Sequence, residues 1–249
     1  SERNISAIIA SADVRKALNA LHEEFFSDGK KQINIFIAGV GTVGNKLIGQ
    51  IRDQFDQIGA DLRLNLRVVG IANSKRGVLA DEGIDLSQAE AQLAEAREMS
   101  IAAFTDEIVR LNLRNSVFVD VTASPAVVLN YDKLLRRSIS VVACNKIAAS
   151  SEYERYRWLK DLAREYSANF LFETYVGAGS TVINTLNDLL RSGDRVNRIE
   201  AVLSGTLNFV FNNYDGNRKF AEVVRQAQNE GYTEPDPRLD LSGTDVARK

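Results

Sequence analysis

Residues 34–44 read N-I-F-I-A-G-V-G-T-V-G, a short apolar run that breaks directly into G-x-G-x-x-G. Lys46, Leu47 and Ile48 then continue a helical pattern. The order carries the information. A glycine motif after a buried-strand pattern and before an amphipathic helix matches the turn that holds a dinucleotide pyrophosphate. Gly39 allows the tight turn, Gly41 lets the backbone approach the phosphates with no Cβ in the way, and Gly44 lets the helix pack closely on the strand. The helix start offers free N–H groups and a positive dipole end to the anion. The competing reading is a glycine-rich βα turn that binds nothing.

Composition sets modest bounds. With 249 residues, 45% of them hydrophobic, the chain can bury one large core or two smaller ones, and two domains are expected. Thirty-one basic residues against 33 acidic ones leave a net charge of -2, so no basic field points to nucleic acid. No apolar stretch approaches the roughly 20 residues that span a bilayer, and no signal-peptide pattern opens the chain. The expectation is a cytoplasmic protein with no membrane partner. One cysteine, Cys144, rules out an internal disulfide and a cysteine-rich zinc site. The one histidine, His22, precedes the glycine motif, which argues against histidine acid/base chemistry. Cys144 reads as a packed strand residue rather than a nucleophile.

Working outward from the motif, the alternation is regular. Residues 33–38 form the first strand, 43–58 the first helix and 64–72 the second strand, a βαβ unit that implies a parallel sheet. Helices at 87–98 and 105–111 and buried strands at 117–121 and 139–143 extend it. Thr122 and Lys146 fall just past strand ends, where ligands lie in open α/β sheets. Before the motif, residues 4–9 read as a strand and Asp13 as the cap of a helix with apolar Val14, Ala17, Leu18, Leu21 and Phe25. A second region follows residue 150: helix 152–166, strand 170–175, a glycine turn, helix 182–190, strands around 198–211 with Asp215-Gly216 turn chemistry, and helix 220–230.

The end of the second strand reads I-A-N-S-K-R. A site for NAD usually carries a carboxylate there; none is present, while Ser74, Lys75 and Arg76 offer a hydroxyl and two cations to a 2′-phosphate, so NADP is favoured over NAD. An ordinary charged loop is the alternative. The last stretch concentrates Glu234, Asp236, Asp240 and Asp245 with Lys249. Ser242 to Asp245 has S-x-x-D spacing that can start a helix, and Asp245 and Lys249, four apart, can form a plain ion pair. The functional reading is that carboxylates hold an amino-acid ammonium while a lysine moves the proton that accompanies hydride transfer.

G-V-G-T-V-G, D-V-T-A-S, C-N-K, V-G-A-G, S-G-T-L-N and G-Y-T-E-P-D-P-R-x-D-L-S-G-x-D-V-A-R-K, in that order over residues 33–249, resemble homoserine dehydrogenase. The segment before them, S-E-R-N-I-S followed by K-A-L-N-A-L-H, resembles the end of the regulatory ACT module of an aspartokinase. The whole resembles part of a bifunctional aspartokinase/homoserine dehydrogenase. The resemblance implies an α/β fold, with a Rossmann-type doubly wound parallel sheet at 33–150, a second α+β substrate and dimerisation domain at 151–249, and the tail of an upstream module and linker at 1–32. It implies reversible NAD(P)-linked interconversion of L-aspartate 4-semialdehyde and L-homoserine, toward threonine and methionine. Lys249 and Lys146 would be catalytic; Glu234, Asp245 and Asp240 would bind substrate. Gly39, Val40, Gly41, Val43, Gly44, Ser74, Lys75, Arg76, Thr122, Lys146 and Gly231 would bind coenzyme. Glu173, Val176, Ala178 and Ser180 would hold a monovalent cation such as Na+, mainly through carbonyl oxygens. A homodimer or larger homo-oligomer and a fused aspartokinase are implied partners.

Three departures stand against the family pattern. Leu239 replaces a frequent second aspartate, Ser180-Thr181 replaces Leu-Pro, and Lys249 lies at the chain end where the family continues with a helix. A nucleotide-binding regulatory or oligomerisation module without turnover is the alternative function. A thioester-forming dehydrogenase would need a base beside Cys144.

Overall fold

The computed structural model describes residues 4–26, 29–233 and 236–249. The chain divides into two compact units, Ser1–Ala143 with Arg157–Leu171, and Cys144–Tyr156 with Phe172–Lys249.

The first unit contains α1 (Val14–Phe26), β1 (Lys31–Ala38), α2 (Thr42–Asp61), β2 (Leu64–Ala72), β3 (Gly77–Leu79), α3 (Ala89–Glu95), α4 (Ile101–Leu111), β4 (Ser116–Asp120), α5 (Pro125–Val128), α6 (Tyr131–Leu135) and β5 (Ser140–Ala143). Helix α7 (Tyr153–Glu165) runs into it from the second unit, and β6 (Phe170–Leu171) completes it. The six strands form one sheet in the order β3-β2-β1-β4-β5-β6, parallel throughout except for the β2–β3 pair. β1 sits centrally because residues 34–38 are buried without alternation, the signature of a strand covered on both faces. Phe36, Ile37, Val69, Ile71, Phe118 and Val141 on the strands and Phe104, Ile108, Leu134, Leu135 and Leu159 on the helices are all fully buried, and Ile37 and Ile71 pack with Ile48 of α2 and Leu93 of α3 in one core cluster. Chain order reverses between β1 and β4, so their carboxyl ends make the switch point where such sheets bind ligands.

The second unit contains α8 (Ile183–Arg191), α9 (Gly205–Asn213), α10 (Phe220–Asn229), α11 (Pro237–Leu241) and α12 (Thr244–Ala247). Val210 of α9 packs on Val223 and Ala227 of α10 as its small apolar core.

Three local expectations are corrected. Residues 4–9 form no strand, and Ile5 and Ile8 are fully exposed with no neighbouring strand to supply hydrogen bonds. Asp13, expected as a helix cap, ends a 3-10 turn directly before α1, and its carboxylate accepts from Asn112 Nδ2 at 2.9 Å. Only Phe170–Leu171 pairs from the strand expected at 170–175; Glu173–Tyr175 is a 3-10 turn. The strands expected around 198–211 do not form. Residues 195–204 are irregular, 205–213 are α9, and no strand occurs in the second unit among the described residues. Ser204 is the cause at the helix end, because its hydroxyl accepts from Leu207 N–H at 3.0 Å and caps α9.

Candidate active site

At the end of β1, Gly39 turns the chain at φ 105° while its N–H donates to Ala72 O at 2.8 Å. A Cβ on Gly39 would lie 2.8 Å from Val121 O, and one on Gly44 would collide with the Gly39 carbonyl. Both residues must therefore be glycine for β1, β4 and α2 to approach as they do. Gly41 differs: a Cβ there would meet nothing within 4 Å. The space it leaves open lies over the first turn of α2, whose leading N–H groups have no helical acceptor. An anion fits that cradle.

Gly39, Val40 and Gly41 line a cleft of about 610 Å³ with Asn73, Ser74 and Thr122. Val43 is exposed on α2. Thr122 is fixed by a residue that the sequence reading passed over. Asp120, fully buried at the end of β4, accepts from Thr122 N–H at 2.8 Å and from the Tyr131 hydroxyl at 2.7 Å. Its only sequence signal is an acid closing an apolar strand. Lys75 is exposed, and Arg76 points its guanidinium at α3, so Ser74 alone of the three expected phosphate ligands lines the cleft.

The second unit gathers the other expected residues. Asp245 Oδ1 lies 2.5 Å from Lys146 Nζ, and Oδ2 lies 2.8 Å from Lys249 Nζ. The three side chains are only 10%, 21% and 18% exposed. Burial pushes the Asp245 carboxyl up, but hydrogen bonds from Lys146 and Lys249, helped by their charges, outweigh it and hold the group below the usual carboxylate range. Lys249 also donates to Leu203 O at 2.9 Å. The S-x-x-D capping box is not formed, since Gly243 occupies the N-cap of α12 and leaves the Asp245 carboxylate to the lysines.

Asp240 is buried on α11 and lies 2.7 Å from Thr206 Oγ1, which is also 2.5 Å from Tyr232 O. Gly231 places Tyr232: at φ 80° it ends α10 with Gly231 N–H on Gln228 O at 3.1 Å and Tyr232 N–H on Ala227 O at 2.9 Å, a Schellman pair. Glu234 lies outside the described residues.

The residues expected around a cation follow β6. Both Glu173 carboxylate oxygens are used at the start of α8, accepting from Ile183 and Asn184 N–H at 2.9 and 2.8 Å. Ala178 and Ser180 are exposed and Val176 half-buried. Among the described residues no three of His, Cys, Asp and Glu cluster as metal ligands. The Glu173 carboxylate is thus committed to α8, which leaves the carbonyl oxygens of this turn as the donors that a monovalent cation would use.

Residues 39–173 match the family model for the homoserine dehydrogenase NAD binding domain, and residues 182–249 match the model for homoserine dehydrogenase. This chain belongs to the homoserine dehydrogenase family. The bifunctional aspartokinase/homoserine dehydrogenase 2, chloroplastic, of Arabidopsis thaliana is 43% identical over 100% of this chain and 27% of its own length. The bifunctional aspartokinase/homoserine dehydrogenase of Haemophilus influenzae is 38% identical over 100% of this chain and 30% of its own. The chain thus spans less than a third of the curated relatives it matches. A hyperthermophilic archaeal homoserine dehydrogenase solved in complex with NADPH superposes with a TM-score of 0.74 at 27% identity, covering 88% of this chain and 67% of that one. Among the described residues no helix is long and apolar enough to cross a membrane.

Proposed function

We propose that this chain is the dehydrogenase part of a longer bifunctional protein and interconverts L-aspartate 4-semialdehyde and L-homoserine with a nicotinamide coenzyme, NADP in preference to NAD. The observation that carries the reading is the carboxylate of Asp245 held between two lysines in a family whose members are named for this reaction. A bound nicotinamide supplies or accepts the hydride at the substrate carbon. The first unit holds the coenzyme through the open backbone at Gly41, with Gly39, Val40, Gly44 and Thr122 around it. Ser74 and Lys75 favour the extra phosphate, and Asn73 in place of a carboxylate does not oppose it.

Lys249 is the proton donor to the substrate oxygen in the reducing direction and receives the proton on return. Its ammonium has three protons, of which two go to Asp245 and Leu203 O, so one remains for the substrate. Lys146 shares the Asp245 carboxylate and adds positive charge where the alkoxide forms. The Asp240 carboxylate and the Tyr232 carbonyl, brought together at Thr206 Oγ1, are acceptors that suit the substrate ammonium, and Glu234 is the further ligand of the proposed set. The same reading assigns the second unit to a homo-oligomer contact, for which exposed Val196, Ile199 and Val202 offer apolar surface. It assigns residues 1–32 to an upstream module of the aspartokinase part.

The test is homoserine-dependent reduction of NADP and NAD by the longer parent protein. Turnover with homoserine and faster reduction of NADP supports the proposal. Coenzyme binding with no turnover favours a nucleotide-sensing module instead.

A further inference from the structure

Ser74, Lys75 and Arg76 adjoin in sequence, yet the structure gives them different work. Asn73 Oδ1 accepts from the Lys75 and Arg76 N–H groups, both at 2.8 Å, and the Asn73 N–H donates to Arg76 O at 2.9 Å. Residues 73–76 are thereby a closed turn. From it the Arg76 guanidinium reaches the end of α3, where Nη1 donates to Ala94 O at 2.6 Å and Ala96 O at 2.8 Å. Both protons of that nitrogen are used, on carbonyls that a helix end leaves without backbone donors. The seam continues beyond the side chain. Met99 N–H donates to Lys75 O at 2.9 Å, and a Cβ on Gly77 would lie 2.9 Å from Met99 Sδ. The next residues, Ser100 and Ile101, line the same cleft as Asn73 and Ser74. Ser100 is itself held, as the N-cap of α4 accepting from Ala103 N–H at 3.2 Å. Two stretches of cleft wall, 73–74 and 100–101, are therefore joined through Arg76 and Met99. Lys75 contrasts with this: its side chain is exposed, and its ammonium makes no hydrogen bond or ion pair among the described residues.

We infer that Arg76 is a positioning residue, a clamp that sets the spacing of the two cleft walls, and that preference for a 2′-phosphate rests on Lys75 with the Ser74 hydroxyl. This inference rests on the nicotinamide-coenzyme reading above. NADPH and NADH share the adenosine that the walls would enclose and differ at the phosphate alone. A loosened wall weakens both equally; a lost cation weakens one. A lysine in place of Arg76 has no planar fork and satisfies the two carbonyls less well.

The experiment is equilibrium titration of NADPH and NADH by nicotinamide fluorescence on the intact chain and on Lys75→Ala, Arg76→Ala and Arg76→Lys. Amide exchange over residues 94–99 is followed in parallel. Lys75→Ala is expected to weaken NADPH by about tenfold or more and NADH by less than about twofold, because a charge-assisted phosphate contact is lost. Arg76→Ala is expected to weaken both coenzymes by the same factor and to speed exchange at 94–99, with Arg76→Lys between it and the parent. Selective loss of NADPH in either Arg76 variant would make the guanidinium a phosphate ligand and overturn the assignment. An unchanged NADPH-to-NADH ratio in Lys75→Ala would overturn the other half. If Arg76→Ala does not fold, Arg76→Lys carries the same comparison. Failure of the parent chain to bind either coenzyme would overturn the coenzyme reading itself, and exchange at 94–99 would still decide the clamp.

Discussion

At the scale of single residues, Asp245 decides the state of the lysine pair. With both oxygens bonded to ammonium groups, it offsets two positive charges that would otherwise face each other largely out of water. Asp245→Asn is therefore expected to lower stability by about 2 kcal/mol, between the values typical of exposed and buried pairs. The sign of the pH dependence follows from the shift. The folded-state pKa lies below the unfolded value of about 3.9, so the contribution is complete above that pH and fades as pH falls through the folded value. Urea melts of the two proteins should differ most above pH 5 and converge below pH 4; a gap independent of pH would refute the electrostatic account. Lys249→Ala should retain NADPH binding and lose about 10²–10⁴-fold in kcat in the longer parent protein, the range for a general acid. Unimpaired turnover would remove Lys249 from the proton path. The acid-rich segment showed in the sequence that carboxylates and lysines belong together, but not which would meet. Asp245 stands on the lysines while Asp240 is turned to Thr206 and buried, because α11 and α12 face their carboxylates differently. Asp120 was illegible for a related reason: burial of an acid depends on a distant tyrosine, Tyr131, that spacing does not reveal.

At the scale of elements, the glycine turn was legible because three local requirements coincide: a doubly buried strand, a left-handed φ and a close helix. Its glycines separate two kinds of defect. Gly41→Ala puts a methyl group into open space and should leave the melting temperature unchanged while weakening coenzyme binding, whereas Gly44→Ala should lower both through its collision with Gly39. Calorimetry with an NADPH titration on the two variants checks this, and equal melting temperatures would refute it. The family resemblance places Glu173 beside a cation, and in the structure its carboxylate caps α8. Glu173→Ala should cost about 1 kcal/mol and lower the melting temperature by about 2–4 °C, with no dependence on Na+ concentration. A loss that Na+ reverses would restore the cation reading. The strands expected near 198–211 failed where the sheet succeeded. Residues 34–38 bury every side chain between neighbours, but Ile199 and Val202 have no strand beside them, and an apolar alternation without a partner fixes no strand.

At the scale of the whole molecule, α1 is bound by its polar groups and exposes its apolar ones. Asp13 and the Ala20 carbonyl are held by Asn112 and Arg114, while Val14, Leu18, Leu21 and Phe25, spaced four, three and four residues apart, form a stripe open to solvent. A surface helix ordinarily turns such a stripe inward. The relatives that match all of this chain are more than three times its length and are named for an aspartokinase as well, so the proposed cover for the stripe is that upstream part. The consequence is a substitution whose effect depends on the length of the protein carrying it. In this chain Leu18 and Phe25 are 60% and 74% exposed, so replacing both with serine should change its stability by no more than about 0.5 kcal/mol per site. In the longer parent protein the same pair, if covered, should cost about 1.5–3 kcal/mol per side chain and lower the unfolding transition by several degrees. Calorimetry on both proteins compares them directly. Equal small shifts would leave the stripe uncovered in the parent and reject the upstream module as its partner. A large shift in this chain alone would mean that α1 packs inward in solution.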